Sequence, residues 1–299
     1  MKKAMLIANP SSGKEEAKKH TDTVMEVLSS IGYEVTVKET EKEGDATIFA
    51  EEACEQHYDT VVSMGGDGTL NETITGLAEK THQPTLGIVP LGTVNDFARA
   101  LSIPMDPAEA IETLRSADIK KVDIGKINDK YFMNIIALGG IAEATFGVSA
   151  EQKTKLGPLA YMIEGFKTIK EKEPFEAKIH HDGGEWKGEA LLVLIALTNS
   201  AGGFEKLAPR ADVADGKLHC FVVKDVPLVK LVSIATALVK GTMGEDENVT
   251  YLKTSQFSIA SSTDLIANVD GDEGDRVPLS IRVLEGHLPV FVPQDRLSK

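Results

Sequence analysis

Residues Asp59–Glu79 read DTVVSMGGDGTLNETITGLAE, and this stretch decides the fold class. Its first part, Asp59–Ser63, contains adjacent valines and predicts a buried strand. A glycine-rich turn follows at Gly65–Gly68, and the residues after it predict a helix over Thr69–Glu79. A strand that enters a helix through such a turn is typical of a parallel α/β sheet.

The same alternation of strand and helix surrounds this stretch on both sides. Further strands are predicted at Ala4–Ala8, Glu34–Lys38 and Leu86–Val89, and further helices at Lys14–Ser30 and Asp45–Gln56. This pattern indicates a doubly wound parallel sheet over residues 1–122, covered by helices on both faces. Ligands of such sheets bind at the carboxyl ends of the strands. The turns 9–13, 65–68 and 90–92 all follow strands, and we expect them to line one cleft.

After residue 122 the pattern changes to consecutive strands with little helix between them. They are predicted at Lys121–Ile127, Tyr131–Leu138, Phe175–His180, Glu189–Leu197, Leu218–Lys224, Val249–Ile259, Asp264–Val269 and Val277–Leu284. This pattern favours an antiparallel β-sandwich over residues 123–289, with inserted helices at about 155–171 and 226–240. The tail 290–299 either closes the sandwich or returns to the first domain.

The composition excludes several classes of protein. The 299 residues carry 32 Lys+Arg against 46 Asp+Glu, and this net charge of −14 disfavours nucleic-acid binding. Two cysteines, Cys54 and Cys220, exclude a disulfide scaffold and favour a reducing compartment. The apolar run Leu191–Leu197 is far shorter than the ~20 residues of a membrane helix, and Ala4–Ala8 is too short for a signal peptide. We therefore expect a cytosolic protein.

The turn and helix start at Gly65–Asn71 have the chemistry of a phosphate site. Glycines let backbone N–H groups point one way and let a phosphate approach closely, and the following helix N-terminus favours an anion. Asn71 stands where a third Rossmann glycine belongs, and Ser12–Glu15 does not complete a Walker A motif. The alternative is an ordinary tight turn, but the embedded Asp67 and the two other polar turns favour phosphate binding.

Four motifs at this spacing resemble the catalytic family of diacylglycerol kinases. They are NPSSG at 9–13, GGDGTLN at 65–71, PLGTVNDFA at 90–98 and DGDEG at 270–274. The chain is most similar to the bacterial soluble lipid kinases of that family, which includes phosphatidylglycerol kinases and is akin to sphingosine kinases. The resemblance covers essentially the whole chain. It implies a nucleotide-binding α/β domain, a β-rich lipid-substrate domain, an active site between them and a tail that returns to the first domain.

The resemblance also assigns nucleotide and metal contacts. The positions matching ATP contacts are Asn9, Pro10, Ser12, Gly13, Thr40, Gly65, Gly66, Asp67, Gly68, Thr69, Leu70, Asn71, Thr93 and Asn95. Asp67, Asp96 and Asp123 match acidic positions that would hold Mg²⁺ beside the γ-phosphate. On the residues alone, Asn95 and Asp96 equally fit a helix cap, and Asp123 equally fits a hydrogen-bonding residue at the domain junction.

The acidic segment Asp270–Asp275 supplies the expected catalytic base. The family usually has Asp-Gly-Glu here, with the Glu as general base for the lipid hydroxyl. In this chain Asp272 takes that place and Glu273 follows, so both carboxylates are candidates. The segment does not match an EF-hand, and on the residues alone it is an acidic hairpin turn.

Relatives in the family hold a second, structural Mg²⁺. The matching positions here are the Asp215 side chain and the backbone carbonyls of Asp212 and Lys217. On the residues alone, an Asp-Gly pair before a strand is an ordinary turn.

Together these features predict an ATP- and Mg²⁺-dependent kinase that phosphorylates a hydroxyl of a membrane lipid, with diacylglycerol as the expected acceptor. The alternatives are a kinase of a soluble acceptor, related to NAD kinases, and a nucleotide-binding regulatory protein without turnover. A lipid acceptor requires transient contact with the inner face of the membrane. Lys153–Lys170, with four lysines, and Val226–Val239 are candidate contacts, although helices packed on the sandwich are the alternative. Relatives suggest a homodimer.

Overall fold

The computed structural model describes residues 1–12, 16–139, 174–200 and 208–294. Gly13, the predicted helix at 155–171 and the lysine-rich segment 153–170 lie outside the described residues. Two compact units are present. Unit 1 comprises the described residues of 1–123 and those from Gly286 onward, and unit 2 comprises the described residues of 124–285.

Unit 1 contains a parallel sheet with the strand order β2-β1-β3-β4. Its strands are β1 (Lys2–Ala8), β2 (Tyr33–Glu39), β3 (Thr60–Gly65) and β4 (Thr85–Pro90). Its helices are α1 (Glu16–Ser30), α2 (Asp45–Glu55), α3 (Asp67–Leu77), α4 (Asp96–Ala100) and α5 (Pro107–Thr113). The predicted α/β class is therefore confirmed, and all four strands end at the same edge of the sheet.

The core of unit 1 explains the apolar character of its central strand. All six residues of β3 are buried, as expected for a parallel strand with both faces covered. The chain also returns to this core near its C-terminus. Val290 lies beside Leu86 of β4 in parallel, Leu288 and Val290 are fully buried, and Phe291 packs against the core cluster.

Unit 2 is an antiparallel β structure with one described helix. Its strands are β5 (Asp118–Ile127, which begins in unit 1), β6 (Lys130–Phe132), β7 (Ile135–Leu138), β8 (Phe175–His181), β9 (Gly184–Ala196), β10 (Leu218–Lys224), β11 (Val249–Thr254), β12 (Gln256–Ser261), β13 (Ile266–Val269), β14 (Asp272–Arg276) and β15 (Leu279–Val292, which ends in unit 1). The helix α6 spans Leu228–Lys240, close to the predicted position, and a short 3₁₀ helix follows at Met243–Glu245.

The second half of strand β9, residues 190–196, is buried on both faces, which explains its continuous apolar run. Val193 and Ile195 pack into a core made by the other strands. Leu192 and Leu194 belong to a second core cluster, to which α6 contributes Leu231 among other residues. A strand covered on both faces loses the polar–apolar alternation of a half-exposed strand.

Two strands predicted as single segments are each interrupted. The segment 131–138 forms β6 and β7, because the N–H groups of residues 133–135 donate to the Asp270 carboxylate at 2.6–2.9 Å. The segment 249–259 forms β11 and β12, which are separated at Ser255, where the backbone N–H donates to Asp182. In both places a carboxylate that is distant in sequence accepts the backbone N–H instead of a neighbouring strand. The local pattern of apolar residues does not predict this.

Three boundaries also differ from prediction. The acidic segment was predicted as a turn, but Asp272–Arg276 forms strand β14 and the turn is confined to Asp270 and Gly271. Helix α3 begins at Asp67, two residues earlier than predicted, because its N-cap is Gly66, which directly follows β3. The last strand extends to Val292 because its end joins the core of unit 1.

Candidate active site

The turn from β3 to α3 presents backbone N–H groups at a helix N-terminus. The first helical hydrogen bond runs from Leu70 N–H to the Gly66 carbonyl at 3.1 Å. The N–H groups of Asp67, Gly68 and Thr69 therefore precede the helical ladder, at the end where the helix dipole is positive. Gly68 is exposed, and a Cβ at this position would meet no atom within 4 Å. The turn thus offers N–H donors and open space, which is the arrangement an anion requires.

The turn from β4 to α4 is shaped by Asn95. This residue has a left-handed backbone with φ of 53°. Its side-chain Oδ1 accepts the Gly92 N–H at 3.0 Å, and its Nδ2 donates to the Gly92 carbonyl at 2.7 Å. A Cβ on Gly92 would lie 2.6 Å from that Oδ1 and 2.8 Å from the Gly66 Cα, so the two turns pack against each other at their glycines.

Asp67 joins the two turns. Its Oδ2 accepts the Asn95 N–H at 2.8 Å, and its Oδ1 accepts the Asp96 N–H at 3.0 Å. Burial raises the pKa of the Asp67 carboxyl above its ordinary value; the N–H donor of Asn95 opposes this shift, and the nearby negative charge of Asp96 adds to it. A cation beside these two carboxylates would offset both the burial and the repulsion.

The first predicted turn reaches the same helix N-terminus through Asn9. Its Nδ2 donates to the Thr69 hydroxyl oxygen at 2.9 Å, and its Oδ1 accepts the Ser11 N–H at 3.0 Å. The Ser12 N–H donates to the Asn9 carbonyl at 3.1 Å, which closes the turn over Pro10. The described part of NPSSG is therefore linked to GGDGT by a side-chain hydrogen bond.

The remaining predicted nucleotide positions occupy less specific places. Thr40 directly follows β2, and its N–H donates to the Ala8 carbonyl at 2.9 Å, so it lies at the same sheet edge as Asn9. Thr93 is an exposed residue of the β4–α4 turn. Leu70 is buried in the first turn of α3, and Asn71 is partly exposed beside it.

Of the three acids predicted to hold the catalytic metal, the structure brings Asp67 and Asp96 together. Asp123 is only 1% exposed, and its Oδ1 accepts the Gly286 N–H at 2.7 Å. Within the described ranges, no three His, Cys, Asp or Glu side chains form a cluster that could hold a metal. A role of Asp123 in metal binding stays a prediction, and its Oδ1 contacts the returning tail at Gly286.

The candidate base residues of unit 2 lie beside a turn that is fixed by Asp270. Its carboxylate accepts the three N–H groups of residues 133–135, and its own backbone is left-handed with φ of 52°. The Asn268 Oδ1 accepts the Gly271 N–H at 3.0 Å and closes the turn. Asp272 and Glu273 follow as the first two residues of β14, and both are exposed.

Sequence reasoning missed these positioning contacts. The Asn9–Thr69 hydrogen bond joins residues that are 60 positions apart. The hydrogen bonds that Asp270 accepts from residues 133–135 join residues at least 135 positions apart. For Asp270, the signal available was an αL-tolerant Asp directly before a glycine, which indicates special turn geometry without identifying its partner.

The predicted structural-metal turn also has partners that the sequence did not indicate. Asp215 Oδ1 accepts the Lys217 N–H at 3.0 Å, and Asp212 Oδ1 accepts the Ala214 N–H at 2.9 Å. The other oxygen of Asp215 is contacted by Lys253 and His219. No sequence signal connects Lys253 to this turn.

Comparison with known proteins identifies two family models in the chain. Residues 3–127 match the diacylglycerol kinase catalytic domain. Residues 136–292 match the YegS C-terminal NAD kinase beta sandwich-like domain. Together the two matches span most of the chain.

Individual relatives extend over its full length. Diacylglycerol kinases of Staphylococcus aureus strains MRSA252 and Newman are each 42% identical over 298 residues, covering 100% of this chain and 95% of the relative. A crystal structure of a diacylglycerol kinase from Bacillus anthracis str. Sterne superposes with a TM-score of 0.82 at 28% identity and covers 98% of both chains. Another structure from that organism gives a TM-score of 0.85 at 30% identity, covering 98% of this chain and 96% of that chain.

Proposed function

This chain belongs to the bacterial diacylglycerol kinase family and is a lipid kinase, and from that premise we propose that it transfers the γ-phosphoryl group of ATP to a hydroxyl of diacylglycerol. We further propose that the reaction uses Mg²⁺. Unit 1 would act as the nucleotide-binding domain and unit 2 as the lipid-substrate domain.

The observation that carries the proposal is the pair of hydrogen bonds that the Asp67 carboxylate accepts from the backbone N–H groups of Asn95 and Asp96. It makes one site out of the GGDGT and PLGTVND motifs. A site held by backbone hydrogen bonds is preorganised, and preorganised donors supply most of the catalysis in phosphoryl transfer.

The residues present fit the phosphates of ATP. The N–H groups of Gly68 and Thr69 lie at the N-terminal end of α3, and the open space beside Gly68 admits a group larger than hydrogen. The role of this turn is to bind and orient the phosphates.

The residues also fit a magnesium ion. Asp67 and Asp96 provide two neighbouring carboxylates, and Mg²⁺ typically takes one or two carboxylates together with phosphate oxygens and water. When bound, the metal would neutralise charge that develops on the transferring phosphoryl group. Each Asp67 oxygen that accepts one N–H retains a further lone pair for a second partner.

Asp272 and Glu273 are our candidates for the group that accepts the proton from the lipid hydroxyl. They are adjacent residues of β14, so their side chains point to opposite faces of the strand. Only one of the two carboxylates can therefore face the lipid hydroxyl in the active site. The separate variants Asp272→Asn and Glu273→Gln should silence one enzyme and leave the other active, and equal activity in both would remove both residues from the role of base.

A lipid acceptor requires the enzyme to reach a bilayer, and we propose transient contact with the inner face of the membrane. No helix in the described part of the chain is long and apolar enough to cross a membrane. The helix α6 exposes Val232 at 44%, and its Lys230 and Lys240 are also exposed. A homodimer stays a prediction.

A lipid phosphorylation assay tests the proposal directly. The purified protein is incubated with labelled ATP, Mg²⁺ and mixed micelles that each contain one lipid alcohol, with NAD as a soluble acceptor in a parallel reaction. We expect labelled phosphatidic acid from diacylglycerol. Label on another lipid would revise the substrate, label on NAD would favour the soluble-acceptor alternative, and no labelled product under any condition would refute the proposal.

A further inference from the structure

The turn at residues 212–217 is closed by its own polar groups. The Asp215 N–H donates to the Asp212 carbonyl at 3.3 Å, and the Asp215 Oδ1 accepts the Lys217 N–H at 3.0 Å. The Asp212 Oδ1 also accepts the Ala214 N–H. The carbonyl of Asp212 and one oxygen of Asp215, two of the groups that a structural Mg²⁺ would use, therefore each accept one N–H inside the turn.

The second oxygen of Asp215 is contacted by two cationic or polar side chains of the adjoining strands. The Lys253 Nζ lies 2.8 Å from Oδ2, and the His219 Nε2 lies 3.2 Å from the same atom. Lys253 on β11 and His219 on β10 are direct partners in the strand register, so the sheet itself places both groups at this carboxylate.

A further contact fixes the histidine in this arrangement. His219 has no exposed surface, and its Nδ1 lies 2.7 Å from the Tyr251 hydroxyl. Tyr251 is two residues before Lys253 on β11 and shares its face of the strand. The Arg210 guanidinium lies 5.9 Å from the Tyr251 ring centre, which adds a second positive charge to the surroundings.

The positive charges of Lys253 and Arg210 disfavour a divalent ion at Asp215. The ion would share its single side-chain carboxylate with an ammonium group 2.8 Å away, whereas Mg²⁺ sites supply oxygen ligands without a competing cation. We infer that the Lys253 ammonium is the cation held by Asp215 in this chain, in the place where related kinases hold a structural Mg²⁺. The turn is then complete without a divalent ion, and this inference does not depend on the proposed kinase reaction.

Thermal unfolding without nucleotide tests this inference. Four proteins are compared, each in excess EDTA and in millimolar Mg²⁺: wild type, Asp215→Asn, Lys253→Met and the double variant. Methionine keeps the apolar stem of lysine and removes only its charge. We expect wild type and Asp215→Asn to show the same Mg²⁺ response, since neither binds the ion at this turn. We expect Lys253→Met to gain a Mg²⁺-dependent rise of about 1–3 °C that the double variant lacks.

The control variant is Lys187→Met, which breaks the Lys187–Glu176 ion pair elsewhere in unit 2. It should unfold with the Mg²⁺ response of wild type. A Mg²⁺-dependent stabilisation of wild type that Asp215→Asn abolishes would place the divalent ion at Asp215 and overturn the inference. A Lys253→Met variant that gains no Mg²⁺ response would overturn it equally, because the ammonium would then not stand in for the metal.

Discussion

At the scale of single residues, the geometry of the site is set by side chains that hydrogen-bond to the backbone of the turns. It is not set by side chains that point into open space. Asp67 accepts two N–H groups of the neighbouring turn, and Asn95 holds Gly92 through both ends of its amide. The motifs contain these residues, for which the sequence predicts a role at a phosphate site. The structure shows an additional reason for their identity, because Asp67 fixes the geometry of the neighbouring turn and Asn95 fixes that of its own turn.

The variant Asp67→Asn tests this positioning role. An amide can accept with its oxygen alone, so one of the two N–H groups would face an NH₂ donor instead of a carboxylate. A hydrogen bond to a charged acceptor is worth about 1.5–3 kcal/mol, so we expect kcat/KM for ATP to fall at least ~10-fold. Steady-state kinetics measure this. Asp106→Asn, which alters a carboxylate that caps α5 by accepting the Glu109 N–H, is the control and should retain activity.

Alanine substitutions at two glycines of the site are expected to have opposite effects. A Cβ at Gly92 would meet the Gly66 Cα at 2.8 Å, so Gly92→Ala should lower the free energy of unfolding by about 1–3 kcal/mol. A Cβ at Gly68 meets nothing within 4 Å, so Gly68→Ala should fold with unchanged stability. Its methyl group would occupy the space that we assign to phosphate, and the KM for ATP should therefore rise.

Urea unfolding and ATP kinetics of the two alanine variants separate these effects. If Gly68→Ala binds ATP as wild type does, the phosphates do not lie beside Gly68 and the assignment of this turn is wrong.

At the scale of elements, the sequence predicted the type of most strands and helices but not where they are interrupted. The spacing of apolar residues indicates which face of a single strand or helix is buried. It located β3, β10 and α6 to within a few residues. The breaks between β6 and β7 and between β11 and β12 depend on Asp270 and Asp182, which come from other parts of the chain. When a distant carboxylate accepts the N–H groups that a neighbouring strand would otherwise bind, the local spacing of apolar residues does not indicate it.

The hairpin between β8 and β9 should therefore contribute acid-sensitive stability. Hydrogen bonds from the hydroxyl groups of Thr254 and Ser255 and from the amide of Gln256 hold the pKa of the Asp182 carboxyl well below its ordinary value of 3.8. Because the folded pKa is depressed, this stabilisation is complete above the ordinary pKa and is lost as the pH falls through and below it. We expect the urea midpoint of wild type to drop more than that of Asp182→Asn as the pH is lowered from ~5 to ~3.

Asp264→Asn provides the comparison for this pH series, since it removes an exposed ion pair with Arg276. It should retain the full acid dependence of wild type. Parallel curves for wild type and Asp182→Asn would show that the Asp182 carboxylate has no part in acid stability.

At the scale of the whole molecule, the charge of −14 is partly explained by the sites it serves. Asp67 and Asp96 begin helices α3 and α4 and are proposed to bind metal, and Asp272 and Glu273 begin β14 and are proposed for proton transfer. The motifs contain this concentration of acids, and the roles assigned to them stay predictions. The sequence offered no means of finding Lys253, because the cation at Asp215 is placed by strand register rather than by a motif.

The path of the chain gives the last prediction. Unit 1 is completed by residues that follow all of unit 2 in the sequence, and Leu288 is fully buried there. Leu288→Ala should therefore lower the free energy of unfolding of the full chain by about 2–5 kcal/mol, as expected for truncating a buried leucine. Val232→Ala, at a position that is 44% exposed on α6, should change it by no more than about 0.5 kcal/mol. Urea unfolding of both variants measures the difference, and a Leu288→Ala protein as stable as wild type would show that the returning strand is dispensable for the fold of unit 1.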